Sequence, residues 1–218
     1  MINVALDGPA GAGKSTVAKE LSRRLNILYL DTGAMYRATA LYCMRNGVSV
    51  NDAKAVTELL NSLPLSVRYK DGSQVTMLGE EDVSQKIRTP ELSMGASDVS
   101  KIPAVRIKMV EMQREIALNM DCVLDGRDIG TFVLPDCKNK FYVTAKAEER
   151  ARRRQLEMQE KGTNIPFEEV LRDIVTRDEN DKNRDFAPLR QAEDAVLLDT
   201  TEMNIEQVVN AIISQIKD

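Results

Sequence analysis

Residues 8–15 read Gly-Pro-Ala-Gly-Ala-Gly-Lys-Ser, a complete G-x-x-x-x-G-K-[ST] motif. That spacing suits one chemistry. The glycines let the backbone turn its N–H groups inward around phosphate oxygens with no Cβ in the way. A following helix would point the positive end of its dipole at the same anion. Lys14 brings a full charge to the β- and γ-phosphates, and the Ser15 hydroxyl is suited to Mg²⁺. The setting gives the motif its meaning. An apolar run over residues 2–6 predicts a strand before it, and Thr16-Val17-Ala18-Lys19-Glu20-Leu21 predicts a helix after it. The chain is therefore expected to bind a nucleoside triphosphate. Its phosphates would lie among Gly8, Pro9, Ala10, Gly11, Ala12, Gly13, Lys14, Ser15 and Thr16.

Three further polar clusters could act on the same anion. In Asp31-Thr32-Gly33-Ala34-Met35-Tyr36-Arg37 a strand ends at Asp31, and Thr32 is expected to cap a helix carrying Tyr36 and Arg37 in its first turns. In Asp125-Gly126-Arg127-Asp128-Ile129-Gly130-Thr131, glycines allow close approach of a ligand and Arg127 offers a planar fork for phosphate oxygens. The third cluster is helical. Arg150, Arg153 and Arg154 share one face, and Arg177, Asp181 and Arg184 follow the i, i+4, i+7 spacing. Alone, these would be ion-paired helix surfaces. Beside a polyphosphate loop they read as a clamp, with residues 162–166 as a segment that could let it close.

The elements that must position these groups alternate as in a parallel α/β sheet. Core strands are expected at 2–6, 27–30, 122–124, 140–143 and 195–198. Four end in Leu-Asp, at Asp7, Asp31, Asp125 and Asp199, so carboxylates gather at the C-terminal edge where open α/β sheets bind ligands. Asp31 and Asp125 are both candidates to organise Mg²⁺, directly or through water. Between the second and third core strands, alternation at Leu65, Val67 and Tyr69 and the turn Lys70-Asp71-Gly72-Ser73 predict a hairpin in a small antiparallel sheet. Val105, Met109, Met112 and Ile116 predict a helix from Pro103. Asn204 with Gln207 predicts a capped C-terminal packing helix.

Composition narrows the chemistry. The 218 residues are 43% hydrophobic and 29% charged with net charge −4, the profile of one globular unit and not of a general nucleic-acid binder. No apolar run approaches a membrane span, no secretory leader is read at the N-terminus, and the three cysteines are scattered. A cytoplasmic monomer with no nucleic-acid or membrane partner is expected. There is no histidine, which removes Ser-His triads, common zinc sites and any imidazole base. The reaction must need little help from a side-chain base.

The combined motifs resemble the nucleoside monophosphate kinases, and among them the bacterial cytidylate kinases. The resemblance rests on residues 7–15, 30–37, 125–128 and 177–184, and it extends over essentially the whole chain. It implies a single P-loop kinase unit. Residues 1–31, 121–149 and 167–218 would form a core with a five-stranded parallel sheet flanked by helices. Residues 32–120 would form a monophosphate-binding region with the small antiparallel sheet, and 150–166 a helical lid. It implies ATP as co-substrate with Mg²⁺, and CMP or dCMP as acceptor. Arg150, Arg153 and Arg154 would approach the ATP phosphates. Arg37, Arg127, Arg184 and nearby Arg177 would meet the acceptor phosphate, with Thr32, Tyr36 and Asp125 in the same acceptor site. Asp181 would take the ribose hydroxyls, and Ser97, Arg106 and Asp128 the cytosine. Lys14, Arg127, Arg153 and Arg184 are the expected catalytic set. Alternatives are a P-loop kinase for UMP, AMP or a non-nucleotide acceptor, or a nucleotide-gated switch. The switch would ordinarily carry an N-K-x-D motif, which this chain lacks.

Overall fold

The computed structural model describes residues 1–160 and 162–217. Lys161, inside the expected lid, and Asp218 lie outside the described residues. In chain order the elements are β1 (Asn3–Asp7), α1 (Lys14–Leu25), β2 (Leu28–Asp31), α2 (Thr32–Arg45), α3 (Ala53–Leu59), β3 (Leu65–Lys70), β4 (Ser73–Leu78), β5 (Glu81–Asp82), α4 (Pro90–Val99), α5 (Pro103–Asn119), β6 (Cys122–Asp125), β7 (Asn139–Thr144), α6 (Ala147–Glu160), α7 (Phe167–Asn183), β8 (Val196–Asp199) and α8 (Ile205–Ile213). A five-stranded parallel sheet has the order β2-β6-β1-β7-β8, and a three-stranded antiparallel sheet the order β3-β4-β5. Each predicted core strand is present, but β1, β2, β6 and β8 continue into their aspartates. The carboxylates thus belong to the strand ends and not to the loops.

The chain divides into two compact units, Met1–Ile27 with Asp121–Asp218, and Leu28–Met120. In the first, β1 pairs in parallel with β6 and β7, and β7 with β8. Its strands are apolar because both faces are covered. Leu6, Leu21, Leu124, Phe141, Val143 and Ile212 are fully or almost fully buried, each stabilising by about 1.5–3 kcal/mol. The capping box on α8 forms as predicted, with Asn204 accepting from the Gln207 N–H and Gln207 accepting from the Asn204 N–H, both at 2.9 Å.

In the second unit, the β3–β4 hairpin turns at Asp71 (φ 51°) and Gly72 (φ 73°), the paired left-handed conformations of a two-residue hairpin loop. Strand β5 and helices α3 and α4 had no sequence prediction. The cap of α2 is Asp31 and not Thr32: its carboxylate accepts from the Ala34 N–H at 2.9 Å, leaving Thr32 as the first helical residue. A carboxylate at that position meets the helix dipole better than a hydroxyl. On α5 the buried face includes Val105 and Met109 as expected, but also Arg106 and Gln113, while Met112 and Ile116 are only half-buried. Among the described residues no helix is long and apolar enough to cross a membrane.

Candidate active site

The phosphate loop joins β1 to α1 in the first unit. Gly8 (φ 144°) lies so close to β7 that a Cβ there would meet the Val143 carbonyl oxygen at 2.0 Å, which only glycine avoids. Gly13 (φ 83°) turns the chain into α1. The Lys14 and Ser15 N–H groups precede the first bonds within that helix, which run from Thr16 and Val17 N–H to the Gly13 carbonyl at 3.1 and 3.0 Å, so they are available to an anion. Lys14 opens α1, buried, with its Nζ donating to the Pro9 carbonyl at 2.7 Å. Burial, reinforced by nearby Arg127, pushes the Lys14 ammonium down to about 7. Asp7 is buried at the end of β1, accepting from the Ile129 and Gly130 N–H groups, each at 2.7 Å. Burial pushes its carboxyl up to about 7, although both N–H bonds work the other way.

Those bonds tie the Asp125–Gly130 segment to the loop. The Ser15 hydroxyl donates to Asp125 Oδ2 at 2.5 Å. Behind this pair, Arg127 Nε donates to Asp181 Oδ2 at 2.8 Å. Arg184 lies 3.4 Å from Asp128 Oδ1 and 3.8 Å from Asp181 Oδ1, and its Nε donates to the Ala187 carbonyl at 2.6 Å. Despite their burial, Asp181, Asp125 and Asp178 together hold Arg127 above its ordinary value, and Arg127 and Arg184 hold Asp181 below the carboxylate range. The i, i+4, i+7 face extends only to Asp181, because α7 ends at Asn183 and Arg184 follows in extended conformation.

The three arginines of α6 do not behave alike. Arg150 is buried and bound to Asp178 of α7 at 2.6 Å and to the Ala10 carbonyl at 2.7 Å. Arg153 pairs with Glu149 and donates to Thr200 Oγ1 and O, while Arg154 pairs with Glu157. Asp178 had no predicted role. The signal was available: Val170, Ile174, Asp178 and Asp181 follow one helical stripe, so two carboxylates occupy the core face of α7.

Expected Arg177 lies on α7 in the first unit, and the second unit holds Asp31, Thr32, Tyr36, Arg37, Ser97 and Arg106. Asp31 Oδ2 takes Arg37 Nη2 at 2.9 Å and lies 3.8 Å from Arg88. Gln74 of β4 brackets the Asp31 backbone, accepting from its N–H at 2.6 Å and donating to its carbonyl at 3.3 Å. Neither Gln74 nor Arg88 was foreseen. Arg106, 2% exposed, stacks over the Tyr36 ring at 5.3 Å, a cation–π contact. Ser97 of α4 is buried, and its Oγ has no hydrogen-bond partner among the described residues. A buried polar atom left in that state is unusual in a closed core and usual at a binding site. Thr32, the first residue of α2, is also buried.

The Lys14 environment has a measurable consequence. Its native value lies below the unfolded one, so between about pH 7 and 10.5 the unfolded chain binds more protons and ligand-free stability rises with pH. A polyphosphate restores the ammonium, so ATP binding at pH 8.5 should take up about one proton. Calorimetry in buffers of different ionisation enthalpy reads this uptake. Lys14→Met should lose it, and uptake that persists in that variant would place the proton elsewhere.

A glycine loop suited to cradle anions at the C-terminal end of a parallel strand, a lysine and serine opening the next helix, and a carboxylate meeting that serine define a P-loop phosphotransferase. The fold is shared with an uncharacterised protein from Eubacterium ventriosum, at TM-score 0.51 and 12% identity over 98% of this chain and 97% of that one. Residues 4–218 match the family model described as cytidylate kinase. The chain is 50% identical to the cytidylate kinase of Caldicellulosiruptor bescii, covering 97% of this chain and 94% of that protein. It is 47% identical to that of Clostridioides difficile, covering 98% and 97%. The chain belongs to the cytidylate kinase family.

Proposed function

We propose that this protein transfers the γ-phosphoryl group of ATP to CMP or dCMP, giving ADP and CDP or dCDP. The observation that carries this reading is the strand-end cluster: the loop with Lys14 and the Ser15–Asp125 pair, adjoining the Arg127–Asp181–Arg184–Asp128 network. A phosphate monoester has its second pKa near 6, so the acceptor is mostly dianionic at neutral pH and needs no general base. An acceptor oxygen forms the new bond to Pγ as the bond from Pγ to the β,γ-bridging oxygen breaks, and ADP leaves with that electron pair. The task is alignment and charge neutralisation. Lys14 serves the β- and γ-phosphates, and Arg37, Arg127, Arg177 and Arg184 the acceptor phosphate. Arg153 and Arg154 reach the donor once they leave Thr200 and Glu157, the step assigned to a lid at 150–166. Residues 32–120 form the monophosphate-binding region, and 1–31, 121–149 and 167–218 the core.

Hard oxygens from a hydroxyl and a carboxylate suit Mg²⁺, which prefers one or two protein oxygens plus substrate phosphates. Ser15 and Asp125 would hold it; Asp31 is committed to the α2 cap and Arg37. When bound, the ion neutralises charge on the transferring phosphates. Asp181 binds the ribose hydroxyls, and Ser97, Arg106 and Asp128 read cytosine. An acceptor carboxylate matches the N4 amino group and repels the O4 carbonyl of uracil. The unpartnered Ser97 Oγ supports this assignment.

ADP release from MgATP, assayed separately with CMP, dCMP, UMP, AMP and GMP, tests the reading. Turnover is expected with CMP and dCMP and far less with the others; a preference for AMP or UMP overturns the base assignments. Asp128→Asn should narrow the CMP-over-UMP ratio by roughly tenfold or more. An unchanged ratio would mean that this carboxylate does not face the base.

A further inference from the structure

Ala10 sits in the middle of the phosphate loop, and both of its backbone polar groups are taken by side chains from elsewhere in the first unit. Its N–H donates to Asp178 Oδ1 at 3.0 Å, and its carbonyl accepts from Arg150 Nη1 at 2.7 Å. The same Arg150 nitrogen lies 2.6 Å from Asp178 Oδ2, and Arg150 Nε donates to the Ala145 carbonyl at 2.9 Å. Peptide, guanidinium and carboxylate thus close a ring of three hydrogen bonds. Both charged groups are almost fully buried.

A buried ion pair is weak support for stability, because desolvation of both charges offsets their attraction. If the pair served only to dock α6 on α7, the apolar cluster of Ala151, Val170 and Ile174 would suffice. Instead each side chain directs one hydrogen bond to the same residue, Ala10, 168 positions from Asp178. The adjoining loop residue is equally constrained. A Cβ on Gly11 would come within 3.1 Å of the Arg150 carbonyl oxygen and 3.2 Å of Ile174 Cδ1. The loop is seated on α6 and α7 and does not stand free.

We infer that Asp178 and Arg150 are positioning residues that clamp the phosphate loop at Ala10 and make its shape depend on the seating of α6 and α7. On this inference Arg150 acts through the loop and not on the ATP phosphates, unlike Arg153 and Arg154 on the same helix. Ala10 N–H, held by Asp178, is withheld from the phosphates, and the N–H groups from Gly11 onward form the cradle. Any movement of α6 or α7 as the lid closes is passed to the loop through this ring. The inference rests on the reading of the loop as the ATP site.

The test is Asp178→Asn, which keeps the shape, removes the charge and turns an N–H donor toward either Arg150 or Ala10. ATP binding, measured by calorimetry without acceptor, should weaken roughly tenfold, the loss of about one charge-assisted hydrogen bond. KM for ATP should rise in step, while KM for CMP stays within about twofold, a split that general loosening would not produce. Arg150→Lys keeps a positive charge but loses the fork that serves Ala10 and Asp178 together. It should give the same ATP-selective loss, and it is read in place of Asp178→Asn if that variant does not fold. Unchanged ATP affinity in the folded variant, or equal rises in both KM values, overturns the inference. A wild-type protein that binds ATP but leaves CMP untouched would overturn the acceptor assignment instead, since ATP binding without acceptor still reads the clamp.

Discussion

Lys14→Met is expected to lower turnover at saturating ATP and CMP by about 10³-fold or more, about 4 kcal/mol of transition-state stabilisation. The fold should survive, because in the ligand-free protein Lys14 is a desolvated cation whose Nζ donates to the Pro9 carbonyl, and methionine fills similar space without a charge to desolvate. Thermal melting and the rate of ADP release separate the two effects. The ligand-free melting temperature should be unchanged or higher near pH 7, where the lysine is costliest. It should converge with that of the wild type toward pH 10, where the neutral amine no longer carries the penalty. A variant with near-normal turnover would remove Lys14 from the reaction. One that fails to fold would show that the Pro9 contact, and not the phosphate, is what the residue serves.

Arg127→Met combines a catalytic and a structural loss. On the proposed assignment of Arg127 to the acceptor phosphate, turnover should fall by about 10²–10³-fold. Stability should fall by about 3–5 kcal/mol, because Asp181 would keep Arg184, at 3.8 Å, and the weaker influence of Arg177 against its burial. Adding Asp181→Asn removes the stranded charge, so the double variant should melt above Arg127→Met while being at least as slow with CMP. pH supplies an independent check. Asp181 is held below the carboxylate range in the native protein, so its contribution is present above about pH 4 and lost as pH falls through the native value. That acid-side loss should shrink in Arg127→Met. Additive effects in the double variant, or a stability profile unchanged in acid, would mean that the two residues do not share charge as the 2.8 Å contact implies.

Much of this architecture was legible before any coordinates, wherever the cause is local. The five parallel strands, the hairpin at Asp71-Gly72, the capping box at Asn204 and the phosphate loop each depend on residues within a few positions of one another. Period, backbone conformation and short-range hydrogen bonds decide such features. Helix α4 escaped because Ser93, Gly95 and Ser97 interrupt its apolar pattern, and β5 because two residues carry no period. The Thr32 cap failed for a local reason as well: two adjacent residues could cap α2, and the carboxylate of Asp31 won.

The amino-acid sequence by itself determined a complete phosphate-loop motif at residues 8–15 between a strand and a helix, a chemistry without imidazole, and aspartates at the ends of four core strands. Only the tertiary structure decided how those groups are shared. Ser15 meets Asp125 across 110 residues, Arg127 meets Asp181 across 54, and Arg150 is bound to Asp178 and the loop while Arg153 and Arg154 pair elsewhere. A carboxylate and a guanidinium form a pair wherever sheet order and helix packing bring them within hydrogen-bond reach. With four strands ending in aspartate and several arginines on two helices, local pattern leaves many pairings open, and topology selects among them.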